Sequence, residues 1–474
     1  MSTTASKDCN STTSGDATTG GAPVGGLVTA TRALSGWGRW PVFADCRVAR
    51  PEKMAEFARC VHGAGGVLAR GLGRSYGDAA CNPDGVTVLS ERLNRILGFD
   101  ESSGIVRVEA GTSIADLLSV FVPRGWMPPV VPGTKFVSVG GAVAADIHGK
   151  NHHVDGSFSR NVDSFDLIDG VGRRVRCSRD ENADAFWATV GGMGLTGLVT
   201  DVTLRMKRIP SAFVRSTKVQ AGGLDALMAA FDEHELKHPF SVAWIDCISG
   251  GAKLGRGVLL LGDFVDGAEL RWLTGREKVK KLPMDLPDFA LSRFNIGMFN
   301  EFFYAAHGGA PDVVHMDKYF FPLDSIHDWN RMYGRRGFVQ YQCLFPLESS
   351  AAGLREVLTR SSSRGWGSFL AVLKRFGARE SRGEHASLSF PFAGYTLALD
   401  FPVRDGLAEF AAELDRIVLA HGGRLYLAKD ALMSASTFET MYAADLSGWR
   451  KVRGQLDPNG VFSSAQSRRL GLTQ

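Results

Sequence analysis

The sequence predicts an α+β protein of at least two domains. Three observations carry this. The chain has 474 residues, 44% hydrophobic and 22% charged, which is a soluble globular composition long enough for two large cores. Short strands and helices in the first two hundred residues surround two glycine-rich loops. After about residue 211 the texture changes to helices alternating with mostly antiparallel strands.

The elements follow in order. Residues 1–26 are rich in Ser, Thr, Gly and Ala, bury too little to fold and are expected to be a disordered tail. Pro51–Val61 reads as a helix with proline in its first turn, followed by a buried strand at 65–70. Val86–Leu89 and the alternating Ile105–Glu109 read as strands. Thr112 is the expected N-cap of a helix over Ile114–Phe121. Phe165–Gly170 and Arg173–Cys177 form a hairpin, Ala183–Ala188 starts a helix, and Gly197–Met206 is an alternating strand. Beyond 211, strands are expected at Phe240–Asp246, Phe338–Phe345 and Gly394–Pro402, with a helix from Gly406 to Leu414.

Residues 276–304 stand apart. Arg276, Lys278, Lys280 and Lys281 form a basic patch ahead of Phe289, Phe294, Met298, Phe299, Phe302, Phe303 and Tyr304. The stretch is either a solvated turn with a core helix, or a mobile lid offering basic and aromatic surface to an anionic lipid.

Composition excludes several classes. A formal net charge of +4, from 54 basic and 50 acidic residues, gives no general attraction to nucleic acid. The seven cysteines are scattered and form no C-x-x-C pair, so reduced thiols are expected rather than disulfides or metal ligands. No basic-then-apolar leader opens the chain, and no 18-residue apolar run occurs, so neither a signal peptide nor a transmembrane helix is expected.

Two motifs mislead. His234-Glu235-Leu236-Lys237-His238 matches the zinc-protease pattern, but Pro239 cuts the helix that a zinc site needs; it is read as a polar helix terminus. Gly192-Met193-Gly194-Leu195-Thr196-Gly197 matches the dinucleotide fingerprint, yet a strand follows where a helix is required; it is read as a turn near the cofactor.

The chemistry lies in the glycine loops. Arg70-Gly71-Leu72-Gly73-Arg74-Ser75-Tyr76-Gly77-Asp78 and Pro132-Gly133-Thr134 through Ser138-Val139-Gly140-Gly141 expose backbone N–H groups of the kind a pyrophosphate needs. The second loop runs into Asp146-Ile147-His148-Gly149-Lys150-Asn151-His152-His153, with His152 and His153 read as supporting or surface residues. A two-loop diphosphate clamp ending in His148 suggests a flavin, and so redox chemistry. Lys429 follows the near-apolar run Arg424–Ala428, where an ammonium needs a partner. Beside flavin N1 and the C2 carbonyl it would stabilise the reduced ring or orient a substrate hydroxyl. His148 would pack on the ring and relay a proton.

These motifs, with Gln340-Tyr341-Gln342 and Leu425-Tyr426-Leu427-Ala428-Lys429-Asp430, resemble the decaprenylphosphoryl-β-D-ribose 2′-oxidase family. The resemblance runs from about Thr31 to Leu472 in the same order. The glycine loops alone would indicate only the wider vanillyl-alcohol-oxidase-like flavin fold. The resemblance implies a PCMH-type FAD-binding domain from residues 27–211 and 424–474, with an antiparallel-sheet substrate domain, 212–423, inserted between.

The resemblance further implies non-covalent FAD held by Ala69 to Ala79, Gly133, Ser138 to Gly141, Ala145-Asp146-Ile147-His148, Val199 and Tyr426. It implies catalysis by Lys429, His148, Gln342 and Tyr76, and a substrate pocket including Lys150, Trp244, Gln342, Lys374, Ala398 and Lys429. The implied reaction passes the C2′ hydride of a polyprenylphosphoryl ribose to flavin N5 and gives a 2′-keto sugar. This is the first half of an epimerisation serving arabinan and cell-wall biogenesis.

The implied partners are a short-chain reductase that completes the epimerisation, and quinone or dioxygen to reoxidise the flavin. A peripheral site on the cytoplasmic membrane is also implied, its side left open: cytoplasmic by sequence, periplasmic by family. In mycobacterial members a cysteine, the target of covalent nitroarene inhibitors, stands where this chain has Ala398. Two rivals remain: an aldonolactone or alditol oxidase on the same fold, and a flavin-binding sensor without turnover.

Overall fold

A computed structural model describes residues 18–62, 66–267, 269–270, 280–377 and 387–474. The architecture is α+β, built on three main sheets. The first orders its strands Thr18–Val24, Leu27–Ser35, Val42–Ala49, Val86–Leu89, Val67–Arg70. Its last three strands are parallel, which requires a crossover. The helix Met54–Arg59 supplies it, burying Phe57 against Val67, Val86 and Val88.

The tail expected to be disordered to residue 26 contributes Thr18–Val24 to this sheet instead. That strand pairs antiparallel with Leu27–Ser35, and Gly25 and Gly26 turn the chain at positive φ, a conformation that glycine adopts without a side-chain clash. Near the C-terminus the chain returns to the same sheet: Phe462 bridges Val67, and Val67 N donates to Val461 O at 2.7 Å.

The second sheet, Arg174–Ser178, Val162–Ile168, Leu198–Arg205, Ile105–Glu109, Ile96–Asp100, is antiparallel throughout. Alternation sets its faces: Val106 and Val108 are buried, while Arg107 reaches Asp201 at 2.7 Å on the outer side. The helix Ile114–Phe121 follows. Its N-cap is Ser113 rather than Thr112: Ser113 Oγ accepts from Asp116 N while Asp116 returns a bond to the Ser113 amide, a capping box.

The third sheet has eight strands, in the order Asp312–His315, Phe213–Ala221, Gly257–Phe264, Phe240–Ile245, Ala371–Phe376, Gly394–Pro402, Phe338–Pro346, Arg424–Leu425. All its pairings are antiparallel. One face carries Ala243, Leu373, Leu397, Leu399, Tyr341 and Cys343. It packs under the helices Leu224–His234, Leu347–Ser363 and Leu407–Ala420.

Register places a different set on the opposite face. Trp244 lies opposite Val372, Val372 opposite Ala398, Lys374 opposite Thr396, Gln342 opposite Ala398, and Gln340 opposite Asp400. Directly opposed residues share a face, so this side of the sheet is a polar floor.

The local structure of the two misleading motifs is plain. The helix Leu224–His234 stops inside H-E-x-x-H; His238 pairs with Asp263 at 2.6 Å, and His234 with Glu233 at 3.6 Å. Among the described residues no group of metal-ligating side chains forms. Gly192–Gly197 is a turn, and Met193 N donates to Ala144 O at 2.9 Å, so it packs beneath the second glycine loop. Cys46, Cys60, Cys81, Cys177, Cys247 and Cys343 are free and buried. Cys9, Arg276 and Lys278 lie outside the described residues.

The aromatic stretch forms the helix Arg293–Ala306, capped by Ser292. It is half core. Ile296 and Asn300 are buried, Asn300 Nδ2 donating to Asp246 at 2.9 Å. Phe303 stands 4.7 Å from the Trp244 ring, so the helix covers one end of the polar floor. Phe294, Met298 and Phe302, one turn apart, face solvent.

Candidate active site

The two glycine loops meet. A Cβ on Gly71 would collide with Ser138 Oγ, and Arg74 Nε donates to Phe136 O at 3.2 Å while its guanidinium covers Trp37 at 4.2 Å. Between them lies a cradle with room for a ligand: a Cβ at Gly133 would meet nothing within 4 Å. Among the described residues no acceptor takes the amides of Gly71, Leu72, Gly73 or Ser75. A buried polar surface without protein partners points to a ligand, and aligned amides select an anion.

The second loop contributes differently from the expectation. Val139 N and Gly140 N already donate to Thr112 O and Ala110 O at 2.8 Å, and Ser138 Oγ caps the helix Val139–Ala144. These residues shape the cradle, while the open donors are in the first loop.

Several side chains named from the sequence are committed inward. Arg70 donates to Ser35 O and Ala80 O. Asp78 is held bidentately by Arg469 at 2.8 and 2.9 Å. Asp146, at φ 39°, accepts from Ser157 Oγ, Ser159 N and Ser389 Oγ. Their use to a ligand is through backbone and loop shape. Ala79, Ile147 and Val199 are buried in the cores.

Beneath the cradle is the polar floor. Ala145 O accepts from the Tyr426 hydroxyl at 2.8 Å, which fixes the loop before His148. The imidazole of His148 is walled by Phe376, Phe390 and Tyr426 at ring distances of 4.8, 5.8 and 5.2 Å. Burial, then Lys374, His152 and Lys429, hold it well below the usual imidazole range, so it is neutral. Gln342 Nε2 donates to His148 Nε2 and to Thr396 Oγ1, both at 3.1 Å. The His148 proton is therefore assigned to Nδ1, a buried donor with no acceptor among the described residues.

Three lysines face the same space. Lys429 Nζ lies 3.6 Å from the centre of the Tyr76 ring. Burial lowers it to about 7, against the opposing pull of Asp400. Lys374 is lowered to about 8 by burial alone. Lys150, lowered to about 7, donates to Tyr319 O and sits 4.3 Å over the Tyr319 ring. Clustered cations at depressed pKa mark a site built for an anionic or electron-rich ligand.

Asp400, Tyr333 and Thr396 also belong to this region and escaped the sequence reading, as did a site role for Gln340. The register of the strands Phe338–Pro346 and Gly394–Pro402 brings in Asp400, Gln340 and Thr396, and Tyr333 reaches Asp400 from the segment Trp329–Tyr333.

Ala398 lies opposite Gln342 on the floor, and Cys343 is on the covered face. A nitroaromatic inhibitor of the kind that attacks a cysteine is therefore expected to bind reversibly. Intact-mass spectra should show no adduct on this protein and an adduct on Ala398→Cys.

Known proteins bear on the site. Residues 46–178 match the FAD binding domain family, and residues 393–470 match the D-arabinono-1,4-lactone oxidase family. The chain is 39% identical over 458 residues to decaprenylphosphoryl-beta-D-ribose oxidase of Mycolicibacterium smegmatis, covering 94% of this chain and 98% of that protein. It is 34% identical over 378 residues to an uncharacterised protein of Streptomyces coelicolor, 75% and 99% covered. It is 32% identical over 161 residues to an uncharacterised oxidoreductase of Rhodococcoides fascians, 34% and 36% covered. The FAD-binding match spans both glycine loops and His148, the near full-length identity spans the floor as well, and the chain belongs to the decaprenylphosphoryl-β-D-ribose oxidase family.

Proposed function

We propose that this protein oxidises the 2′-hydroxyl of a polyprenylphosphoryl-β-D-ribose to the 2′-keto sugar, with FAD as its cofactor. One observation carries the reading: the glycine loop with the open amides runs into Tyr76, whose ring carries Lys429 at a floor that also bears His148, Gln342 and Lys374. The cradle fits a diphosphate, and the orphaned His148 donor and the depressed lysines fit the redox ring and its substrate. FAD, when bound, supplies the acceptor for the C2′ hydride.

The rest of the chemistry belongs to the chain. With its pKa near 7, Lys429 is substantially unprotonated at neutral pH, so its amine takes the 2′-hydroxyl proton as the C2′ hydrogen leaves with its electron pair. The resulting ammonium then faces the place where negative charge has arrived. Tyr76 holds the lysine under its ring. His148, neutral and weakly basic, donates from Nδ1 rather than relaying a proton, and Gln342 fixes its tautomer. Residues 69–79, 133, 138–141, 145–148, 199 and 426 form the cofactor side, and Lys150, Trp244, Lys374 and Ala398 the substrate side.

The test is to mix the FAD-loaded protein anaerobically with a prenylphosphoryl ribose and follow the visible flavin band. Bleaching supports the reading, and a band unchanged by that substrate defeats it. The ammonium form has no lone pair to accept a proton. The bleaching rate should therefore fall about tenfold per pH unit below about 7 and level off above it, as stopped-flow measurements across pH 5–9 will show.

The match at 393–470 to D-arabinono-1,4-lactone oxidase favours one second reading, an aldonolactone or alditol oxidase. Anaerobic bleaching by L-gulonolactone or xylitol, with none by the lipid-linked sugar, would select it. Around the main reading we place a short-chain reductase for the keto product and quinone or dioxygen as final acceptor. Among the described residues no helix is long and apolar enough to cross a membrane. The exposed Phe289, Phe294, Met298 and Phe302, with exposed Lys280 and Lys281 earlier in the same stretch of chain, support a peripheral lipid contact, with the helix Arg293–Ala306 as a lid over the Trp244 end of the floor.

A further inference from the structure

Asp400 is the carboxylate nearest the cations of the floor, and the mechanism above leaves it unused. It is fully buried in the strand Gly394–Pro402. Oδ1 accepts from Gln340 Nε2 at 2.6 Å, Oδ2 from the Tyr333 hydroxyl at 3.0 Å, and its amide donates to Ser368 Oγ at 2.8 Å. All these partners are neutral. Among the described residues no Lys or Arg forms an ion pair with it, nor does any carboxylate with Lys429. A buried carboxyl and a buried amine each pay for isolation unless something links them.

The link is visible. Gln340, bonded to Asp400, also acts on the Tyr76 hydroxyl, and the Tyr76 ring carries Lys429 Nζ. We propose that Asp400 is the positioning residue for Lys429: through Gln340 and Tyr76 the two hold one proton between them, as carboxylate with ammonium or as carboxylic acid with amine. The inference rests on the reading of Lys429 as the proton acceptor. The proton taken from the substrate then creates an ammonium that the Asp400 carboxylate stabilises, and no other group need change charge.

Burial supports the sharing, since it raises Asp400 to about 7 and lowers Lys429 to about 7. Other groups surround the pair: Arg74 and Asp324 act on Tyr76, and burial holds the Asp324 carboxyl above the usual carboxylate range. Tyr76 and Tyr333 are pushed well above the tyrosine range, the Cys247 thiol goes up to about 12, and His148 falls well below neutrality. Lys374, at about 8, is a neighbour that titrates near neutrality.

The test reads Lys429 directly. The FAD-loaded chain carrying 13Cε-lysine is titrated by NMR, with the Lys429 signal assigned by its loss in Lys429→Met. Asp400→Asn removes the charge that favours the ammonium, so the Lys429 midpoint should drop by about one pH unit. Tyr333→Phe withdraws a hydrogen bond from the carboxylate, favours its protonated form, and should lower the midpoint by less. An unmoved midpoint in yellow, folded Asp400→Asn overturns the proposal. Should that variant not fold, the Tyr333→Phe midpoint decides by the same criterion.

In flavin bleaching by prenylphosphoryl ribose, the acid limb should move down with the NMR midpoint. A wild type that never bleaches would defeat the oxidase reading while the NMR midpoints still judge Asp400.

Discussion

Lys429→Ala is expected to leave a yellow protein that its substrate bleaches at least about 100-fold more slowly. The side chain points across the Tyr76 ring into the floor, while the open amides of the cradle belong to Gly71, Leu72, Gly73 and Ser75, so cofactor retention and turnover should separate. Replacing Lys429 removes both the proton acceptor and the cation that forms when it accepts. The neighbours are poor substitutes: His148 is neutral and already accepts from Gln342, Lys150 is engaged with Tyr319, and Lys374, at about 8, is mostly ammonium at pH 7. The measurement is anaerobic stopped-flow at the flavin band, with bound FAD counted by its release on denaturation. Full-rate bleaching in the variant would remove Lys429 from the mechanism.

Gly77→Ala is expected to do the opposite, giving a folded but largely colourless protein. A Cβ at Gly77 would strike the Asp430 carbonyl oxygen and stand 2.7 Å from Ala431 Cβ. The obstacle is backbone, so relief means moving the first glycine loop away from residues 428–431. That displacement breaks the bond from Tyr76 N to Ala428 O, 3.0 Å in the native arrangement. Overpacking of this kind costs about 1–3 kcal/mol, or more where backbone must shift, enough to weaken FAD retention at least about tenfold. The ratio of visible to 280 nm absorbance after gel filtration reads it, against the unfolding temperature as a control. A variant that keeps its full complement of FAD would show that the loop tolerates the shift.

Much of the site was legible because its signals are local. Glycines at 71, 73, 140 and 141, the apolar run before His148, and a lysine ending the near-apolar Arg424–Ala428 are all read within a few residues. The fold class was legible for the same reason, since alternation and helix period act over short windows.

What escaped depends on register. Asp400 reads as the polar end of an apolar strand until Gln340 is placed opposite it. Thr396 matters because it shares a face with Gln342, and Tyr333 because it reaches Asp400 from a different segment. Two errors were avoidable. Asp116, three residues after Ser113, marks the true cap, and Gly25-Gly26 between two Thr-containing runs marks the hairpin that a composition argument dismissed as tail. Val139 and Gly140 show the converse difficulty, because a glycine-rich sequence does not reveal which amides the fold has already used.

Asp78 and its holder Arg469 are 391 residues apart, and Val67 pairs with Phe462. The ribosome therefore releases the nucleotide-facing loop long before the segment that buttresses it. A nascent chain carries Gly71 to Asp78 unsupported for several hundred residues of synthesis, and Lys429, the proposed proton acceptor, emerges long after them. Colour is consequently expected to report finished assembly, since the proposed seat for the pigment becomes rigid only once residues 67–78 have met residues 461–469.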